Sequence, residues 1–592
     1  MMLKIYMTWL VIYDVDLSWK PLITGLPSIW VVFCLIEWFA SKRKLAAYMT
    51  VNLLLTTVFF AAIMYYKYYG VIVTYHALQQ VNQVTEVKGS VFSLADPYFL
   101  LIYVDIVVLT ILWFAKKRSP IWSAWAKKPK KRSMVMAAFV ISLTLCLSNI
   151  WPNRAIMNEL RQAEEMGILN YEAHKIFEQQ EVEYMDPKSI THEAIQKLKG
   201  IQDPAAPNFH KAAAGRNVII IQMESMQSFL LGYKLDGLEI TPVMNELMRE
   251  HLYFPAFYQQ VGQGNTSDAE FVVNTSFYIP PNGAASQVYA DKDLPSLPKV
   301  LEKNGYQTAT FHTNGVEFWN REEMYTALGF DHYYDQQFFG DEDLLMFGAS
   351  DEVLYNKTVD KLIEMRAAGK PFYAHVISMT AHHPYNMAEE KLRIELPKRF
   401  KDTLVGDYIS SQNYSDYALG LFIKRLKESG LWDESLIVIY GDHLGLAKYM
   451  LNHHDKKLMK EIFGRKYGYP DMLNIPLIIA APGILDHTVH EQLGGQVDIL
   501  PTIANLTGAS LEDHPYFGQD LLNQTYNLLP ERYYLPSGSF INNEAVFVPQ
   551  NGFNDGTEYP LDPKQGKKKA KVTKDEYERA LKLLHMSDSY VN

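Results

Sequence analysis

Residues 217–225 read Asn-Val-Ile-Ile-Ile-Gln-Met-Glu-Ser. A valine and three isoleucines in a row, closed by polar side chains, is the pattern of a strand buried on both faces, as parallel sheets require. Four further stretches repeat the pattern: Thr-Ala-Thr-Phe at 308–311, Phe-Tyr-Ala-His-Val-Ile at 372–377, Leu-Ile-Val-Ile-Tyr at 436–440 and Ile-Pro-Leu-Ile-Ile-Ala at 475–480. Between them, 241–249, 320–328, 408–429 and 498–506 read as helices. The alternation predicts an α/β domain whose mainly parallel sheet is covered by helices on both faces.

In such sheets functional groups collect beyond the carboxyl ends of the strands. Glu224 follows the first strand and His312 the second, while Thr380-Ala381-His382-His383 comes soon after the third and Gly441-Asp442-His443 after the fourth. Two carboxylates with imidazole form a hard-to-borderline donor set suited to Mn²⁺, Mg²⁺ or Zn²⁺. The stretch Gly-Gln-Gly-Asn-Thr-Ser-Asp-Ala-Glu at 262–270 adds hydroxyls. Ser267 and Glu270 stand at capping-box spacing, so a helix is expected to begin there. A hydroxyl at or just before that start would sit where helix amides favour phosphate. On these residues alone, Thr266 and Ser267 as plain caps remain the alternative.

Working outward, the first 150 of the 592 residues differ in character. Residues 21–40, 45–65, 98–115 and 134–150 are apolar runs close to the ~20 residues needed to cross a bilayer. Residues 5–12 are apolar but too short, a truncated span or an interfacial stub. Basic clusters at 41–44, 116–118 and 127–132 mark two cytoplasmic loops, which directs everything after Trp151 to the outside. Within the runs, Glu37 reads as an interface residue beside Arg43, and Asp105 as structural glue between helices. The expected organisation is a transmembrane domain at 1–151, a polar helical connector at 152–207 and an extracellular catalytic domain at 208–592. The chain would then be a multi-pass protein of the cell membrane. Proteolytic release of the outer domain would fall in the connector. The basic run at 567–571 reads as a solvated face before a final amphipathic helix.

A net charge of −10 argues against a nucleic-acid partner. The two cysteines, Cys34 and Cys146, both lie in apolar runs, which excludes a disulfide scaffold, a cysteine-ligated zinc and a cysteine nucleophile from the outer part.

Met-Glu-Ser at 223–225, Gly-Gln-Gly-Asn-Thr-Ser-Asp-Ala-Glu-Phe at 262–271, Phe-Trp-Asn-Arg at 318–321, Thr-Ala-His-His-Pro at 380–384 and Tyr-Gly-Asp-His at 440–443 together resemble the lipoteichoic acid synthase family. Those enzymes are membrane-anchored members of the alkaline phosphatase/sulfatase-like superfamily, and the resemblance covers nearly the whole chain. It implies that Glu224, Thr266, Asp442 and His443 hold one Mn²⁺ ion, with Mg²⁺ as the second choice, and that Thr266 is also the nucleophile. It implies a glycerol phosphate pocket made by His312, Trp319, Arg321 and His382. His382 is preferred to His383 on its spacing from Thr380. The short first apolar segment departs from the family's five spans.

The implied reaction takes glycerol phosphate from phosphatidylglycerol through a phospho-threonine intermediate. It adds the group to a glycolipid or polyglycerolphosphate acceptor in the membrane, as polymerase or primase. Arg321 would clamp phosphate oxygens bidentately, and His312 would give a proton to the leaving oxygen. A sulfatase is disfavoured, because it needs Cys or Ser in a C/S-x-P-x-R setting. A lipid phosphoethanolamine transferase and an inactive membrane-anchored teichoic-acid-binding module are the other readings. The first usually carries disulfides, and the second has no use for a full metal set.

Overall fold

A computed structural model describes the chain except for residues 14–17, 41–43, 76–88, 90–92, 115–130, 179–182, 346 and 563–570. Most of the basic clusters that set the expected orientation, Arg43 and most of the run at 567–571 therefore lie outside the described residues. The chain divides into two units, Met1–Glu181 with Pro549–Gly556, and Val182–Val548 with Thr557–Asn592. The residues read as one connector, 152–207, are thus shared between the two.

The first unit is helical: α1 (Met2–Tyr13), α2 (Lys20–Phe39), α3 (Lys44–Tyr69), α4 (Val104–Phe114, preceded by a 3₁₀ turn from Pro97), α5 (Arg132–Asn153), α6 (Glu159–Met166) and α7 (Ile168–Phe177). Four helical segments are long and apolar enough to cross a membrane, namely Lys20–Phe39, Lys44–Tyr69, Pro97–Phe114 and Arg132–Asn153. The 12 residues of α1 reach only about 18 Å, well short of the hydrocarbon thickness. It packs instead through Ile5 and Ile12 into a cluster with Ile29, Phe59 and Ala62.

Polar groups stitch these helices together. The Lys4 ammonium lies 2.7 Å from Asp105 and donates to Thr56 Oγ1 at 2.6 Å, while Asn52 donates to Asp105 at 3.0 Å. Asp105 thus joins α1, α3 and α4. Glu37 accepts from Lys44 at 2.6 Å and from Tyr48 at 3.0 Å. An unpaired charge in an apolar surrounding costs more than a neutral replacement of both partners. Asp105→Leu alone should therefore lower the unfolding midpoint in detergent by about 2–4 °C, the shift for ~1 kcal/mol in a unit of this size. Lys4→Met combined with Asp105→Leu should recover most of it. A double variant no more stable than the single one would show that the pair does not hold the helices.

The second unit is built on an eight-stranded sheet. In chain order its strands are β1 (Asn217–Met223), β2 (Leu252–Phe254), β3 (Gln307–His312), β4 (His332–Tyr334), β5 (Phe372–Ile377), β6 (Ser435–Gly441), β7 (Leu477–Ala480) and β8 (Thr488–Val489). Their spatial order is β8-β2-β7-β6-β1-β5-β3-β4. β1 pairs in parallel with β5 on one side and β6 on the other, placing Ile219 opposite both Ala374 and Ile437. β7 alone runs antiparallel to its neighbours β6 and β2. Every residue of β1, β5 and β6 is buried, and each large apolar side chain so buried contributes about 1.5–3 kcal/mol.

Helices α8 (Thr266–Thr275), α9 (Arg321–Leu328), α10 (Asp351–Ala367) and α11 (Leu404–Glu428) belong to this unit. All five expected strands form, and the last begins two residues late, because the Ile475 amide goes to the Phe257 carbonyl and Pro476 has no N–H to give. A second, four-stranded antiparallel sheet was not foreseen: β9 (Leu528–Glu531), β10 (Ser539–Asn542), β11 (Ala545–Val548) and β12 (Thr557–Pro560). The final helix, α12 (Lys574–Val591), packs against it.

Candidate active site

The carboxyl ends of β1 and β6 lie side by side, with Met223 opposite Gly441. The chain leaves β1 sharply, Ser225 taking a left-handed conformation at φ 58°. Its amide donates to Asp442 Oδ1 at 2.7 Å. Gly441 is required here, since a Cβ at that position would stand 2.1 Å from the Met226 carbonyl. Glu224 is anchored from both sides of its backbone, its amide by Ser378 Oγ and its carbonyl by Gln412.

Thr266 enters from the Gly-Gln-Gly loop as the first residue of α8, at the positive end of the helix. Asp268 organises that loop by accepting from the amides of Gly262 and Gly264 and, across to the next segment, Ala285. Gly264 lies so close to it that a Cβ would meet the Asp268 carboxylate at 2.5 Å. Asn265, which precedes the helix, has φ 44° and caps nothing with its side chain. The capping-box expectation is therefore corrected. Ser267 Oγ turns back to the Gly264 carbonyl, and Glu270 points elsewhere because a buried guanidinium claims it.

The result is a tight cluster. Glu224, Asp442 and His443 present ligand atoms all within 4.8 Å of one another, each residue buried. Thr266 Oγ1 donates to Glu224 Oε2 at 3.1 Å and lies 3.4 Å from His443 Nε2. His443 Nδ1 is bonded to the Leu444 carbonyl at 3.0 Å, which leaves Nε2 facing the carboxylates. Burial opposes the charge of Glu224, but the His443 charge outweighs it and holds the carboxyl low. Burial, and then Glu224, push Asp442 up. His443 is raised despite burial because Asp442 and Glu224 face it. Two carboxylates against one imidazole thus retain a proton, and a divalent cation answers the same excess of negative charge. Two oxygen anions, a hydroxyl and an imidazole with its other nitrogen fixed fit such an ion.

Of the other four expected residues, His312 and Arg321 both feel the Glu224 charge. His312 ends β3, buried, with Nδ1 bonded to the Ile377 carbonyl at 3.1 Å. Burial and then the Arg321 charge push it down to about 3. A neutral ring with its N–H already committed accepts at Nε2, so the expected proton-donor role does not fit. Trp319 sits in a left-handed turn at φ 59°, buried. His382 is half-buried, its Nδ1 bonded to the His383 carbonyl at 2.7 Å and its ring edge-on to Phe347. The His383 ring lies edge-on to Tyr385. Arg321 is almost fully buried, with Nε donating to Glu270 Oε1 at 2.8 Å. Sequence reasoning missed Glu270 as its partner and Tyr325, whose hydroxyl donates to Glu270 Oε2 at 2.6 Å. It also missed Gln222, which bonds both the Thr266 carbonyl and Asp442. Only a buried polar side chain closing an otherwise apolar strand hinted at that last one.

Residues 1–184 match the lipoteichoic acid synthase N-terminal domain and residues 216–509 the sulfatase domain. The lipoteichoic acid synthase 1 of Bacillus subtilis is 31% identical over 515 residues, 82% of this chain and 77% of that protein. The chain belongs to the lipoteichoic acid synthase family. The lipoteichoic acid synthase of Staphylococcus aureus is 29% identical over 560 residues, 91% of this chain and 83% of its own. The crystal structure of the lipoteichoic acid synthase LtaP from Listeria monocytogenes superposes with a TM-score of 0.63 and 39% identity, covering 68% of this chain and 98% of that one. As a member of the lipoteichoic acid synthase family, the chain is a membrane-anchored transferase of the sulfatase superfamily with a site for a divalent metal.

Proposed function

We propose that this synthase transfers glycerol phosphate from phosphatidylglycerol to a glycolipid or polyglycerolphosphate acceptor, through a covalent intermediate on Thr266 and outside the cell membrane. The position of the Thr266 hydroxyl, 3.1 Å from Glu224 and 3.4 Å from His443, carries the reading. A hydroxyl is a weak nucleophile until a neighbouring base or metal activates it. Glu224, Thr266, Asp442 and His443 would hold Mn²⁺, or Mg²⁺ in its place. The ion would lower the pKa of the hydroxyl and neutralise charge on the phosphate.

Thr266 Oγ gives up its proton and attacks phosphorus while the bond to the diacylglycerol oxygen breaks, and that oxygen takes a proton from solvent to leave as diacylglycerol. The terminal hydroxyl of the acceptor then attacks the same phosphorus and frees Thr266. Arg321 keeps Nη2 for phosphate after giving Nε to Glu270. His312 accepts from a glycerol hydroxyl at Nε2, His382 lines the mouth beside Phe347, and Trp319 packs on the glycerol.

The test is incubation of the full chain in detergent with fluorescent phosphatidylglycerol. Diacylglycerol release should stop on chelation and return with Mn²⁺, whereas chelator-resistant release would refute the metal. Release from phosphatidylethanolamine in place of phosphatidylglycerol would promote a phosphoethanolamine transferase.

A further inference from the structure

The first unit contains a groove of about 410 Å³ between α2, α3, α5 and α7, within the size range of small-molecule sites. Its walls are Val31, Val32, Leu143, Leu147 and Phe177, and one end is polar. There Ser28 Oγ donates to Asn170 Oδ1 at 2.8 Å, and Asn170 Nδ2 donates to Asn149 Oδ1 at 3.2 Å. His174 also lines this end. Its Nε2 is buried without a hydrogen-bond partner, 3.6 Å from Glu178.

Three of the four helices are of membrane-spanning length, so the medium around the groove is hydrocarbon. In that medium apolar contact alone does not prefer a lipid tail over another helix, and selection falls to shape and to the polar groups. Ser28 lies eight residues inside the start of α2 and Asn149 four residues inside the end of α5, at depths of roughly 12 and 6 Å. Contact of Ser28 with Cys146 at 3.8 Å brings these two helix ends to the same side. That side is the one on which the chain leaves the last apolar span.

We propose that this groove holds one acyl chain of a glycerophospholipid, with the ester of that chain against Ser28, Asn170 and His174. The inference rests on the proposed reaction, because with the catalytic unit outside, the groove lies in the outer-leaflet half, where phosphatidylglycerol would be drawn upon.

The experiment uses the full chain carrying Thr266→Ala, in nanodiscs containing phosphatidylglycerol with a diazirine at the end of one acyl chain. Photolabel should concentrate on α5 and α7 peptides around Leu143, Leu147 and Ala173. Ala173→Trp should cut it at least fivefold, whereas Leu145→Trp, on the exposed face of α5, should not. Label spread evenly over all the lipid-facing helices and indifferent to Ala173→Trp would overturn the proposal. Cys146→Phe serves as a second filling variant should Ala173→Trp lose its normal melting. In active enzyme, Ala173→Trp should lower the ratio of kcat/KM for dioleoyl over dihexanoyl phosphatidylglycerol at least tenfold. An unchanged ratio counts against the groove. Absence of turnover of either lipid by the wild type would instead sink the reaction, and the labelling would still decide the groove.

Discussion

Thr266→Ala should abolish transfer while leaving the protein folded. The substitution removes the hydroxyl proposed to form the covalent intermediate, and loss of a nucleophile typically costs ~10³-fold or more. The structural cost is small. Thr266 is the first residue of α8, where alanine is well tolerated, and one hydrogen bond to Glu224 contributes about 1 kcal/mol. Melting should therefore stay close to wild type, while metal affinity falls because one of the four proposed ligands is gone, and Thr266→Ser should regain part of the rate because its hydroxyl can occupy the same position. The decisive measurements are diacylglycerol release and intact-protein mass after quenching, the wild type gaining a glycerol phosphate adduct that Thr266→Ala lacks. Retention of more than about a tenth of wild-type turnover would remove Thr266 from the chemistry.

The sequence exposes the strand ends because their chemistry breaks a pattern. A carboxylate or imidazole within three residues of the end of Val-Ile-Ile-Ile-Gln or Leu-Ile-Val-Ile-Tyr is costly to bury unless something pairs with it. Glu224, Asp442 and His443 therefore stand out before any coordinates are known. What stays hidden is pairing between distant segments. Glu270 looks like the second half of a capping box with Ser267, and local spacing cannot reveal that Arg321, 51 residues on, claims it first. The His312 tautomer is hidden for the same reason, since it is fixed by the Ile377 carbonyl of a neighbouring strand. The four-stranded sheet at 528–560 escapes as well. Its strands are four residues each, the first three wholly buried and the last half-buried throughout, too short for alternation to declare itself.

The buried Arg321–Glu270 pair makes the second large effect a compound one. Both side chains are about 2% exposed or less. Removing one partner strands the other's charge in the interior, which typically costs 3–5 kcal/mol. Glu270→Ala should thus destabilise the catalytic unit by about that amount although Glu270 touches no expected metal ligand, because Arg321 would be left with only the Phe318 carbonyl at 3.4 Å. Arg321→Ala should cut transfer by roughly one to two orders of magnitude, the equivalent of the ~1.5–3 kcal/mol of a charge-assisted contact to phosphate. It should lower the melting point at the same time. Arg321→Lys should restore little of either, since an ammonium cannot serve Glu270 and a phosphate in two directions from one plane. The combination Glu270→Leu with Arg321→Met separates the two roles. Replacing a buried pair by apolar side chains of similar volume is often neutral for stability, so denaturant unfolding should return towards wild type while transfer stays at the Arg321→Ala level. A double variant that regained both would leave Arg321 a structural residue and take the guanidinium out of phosphate binding.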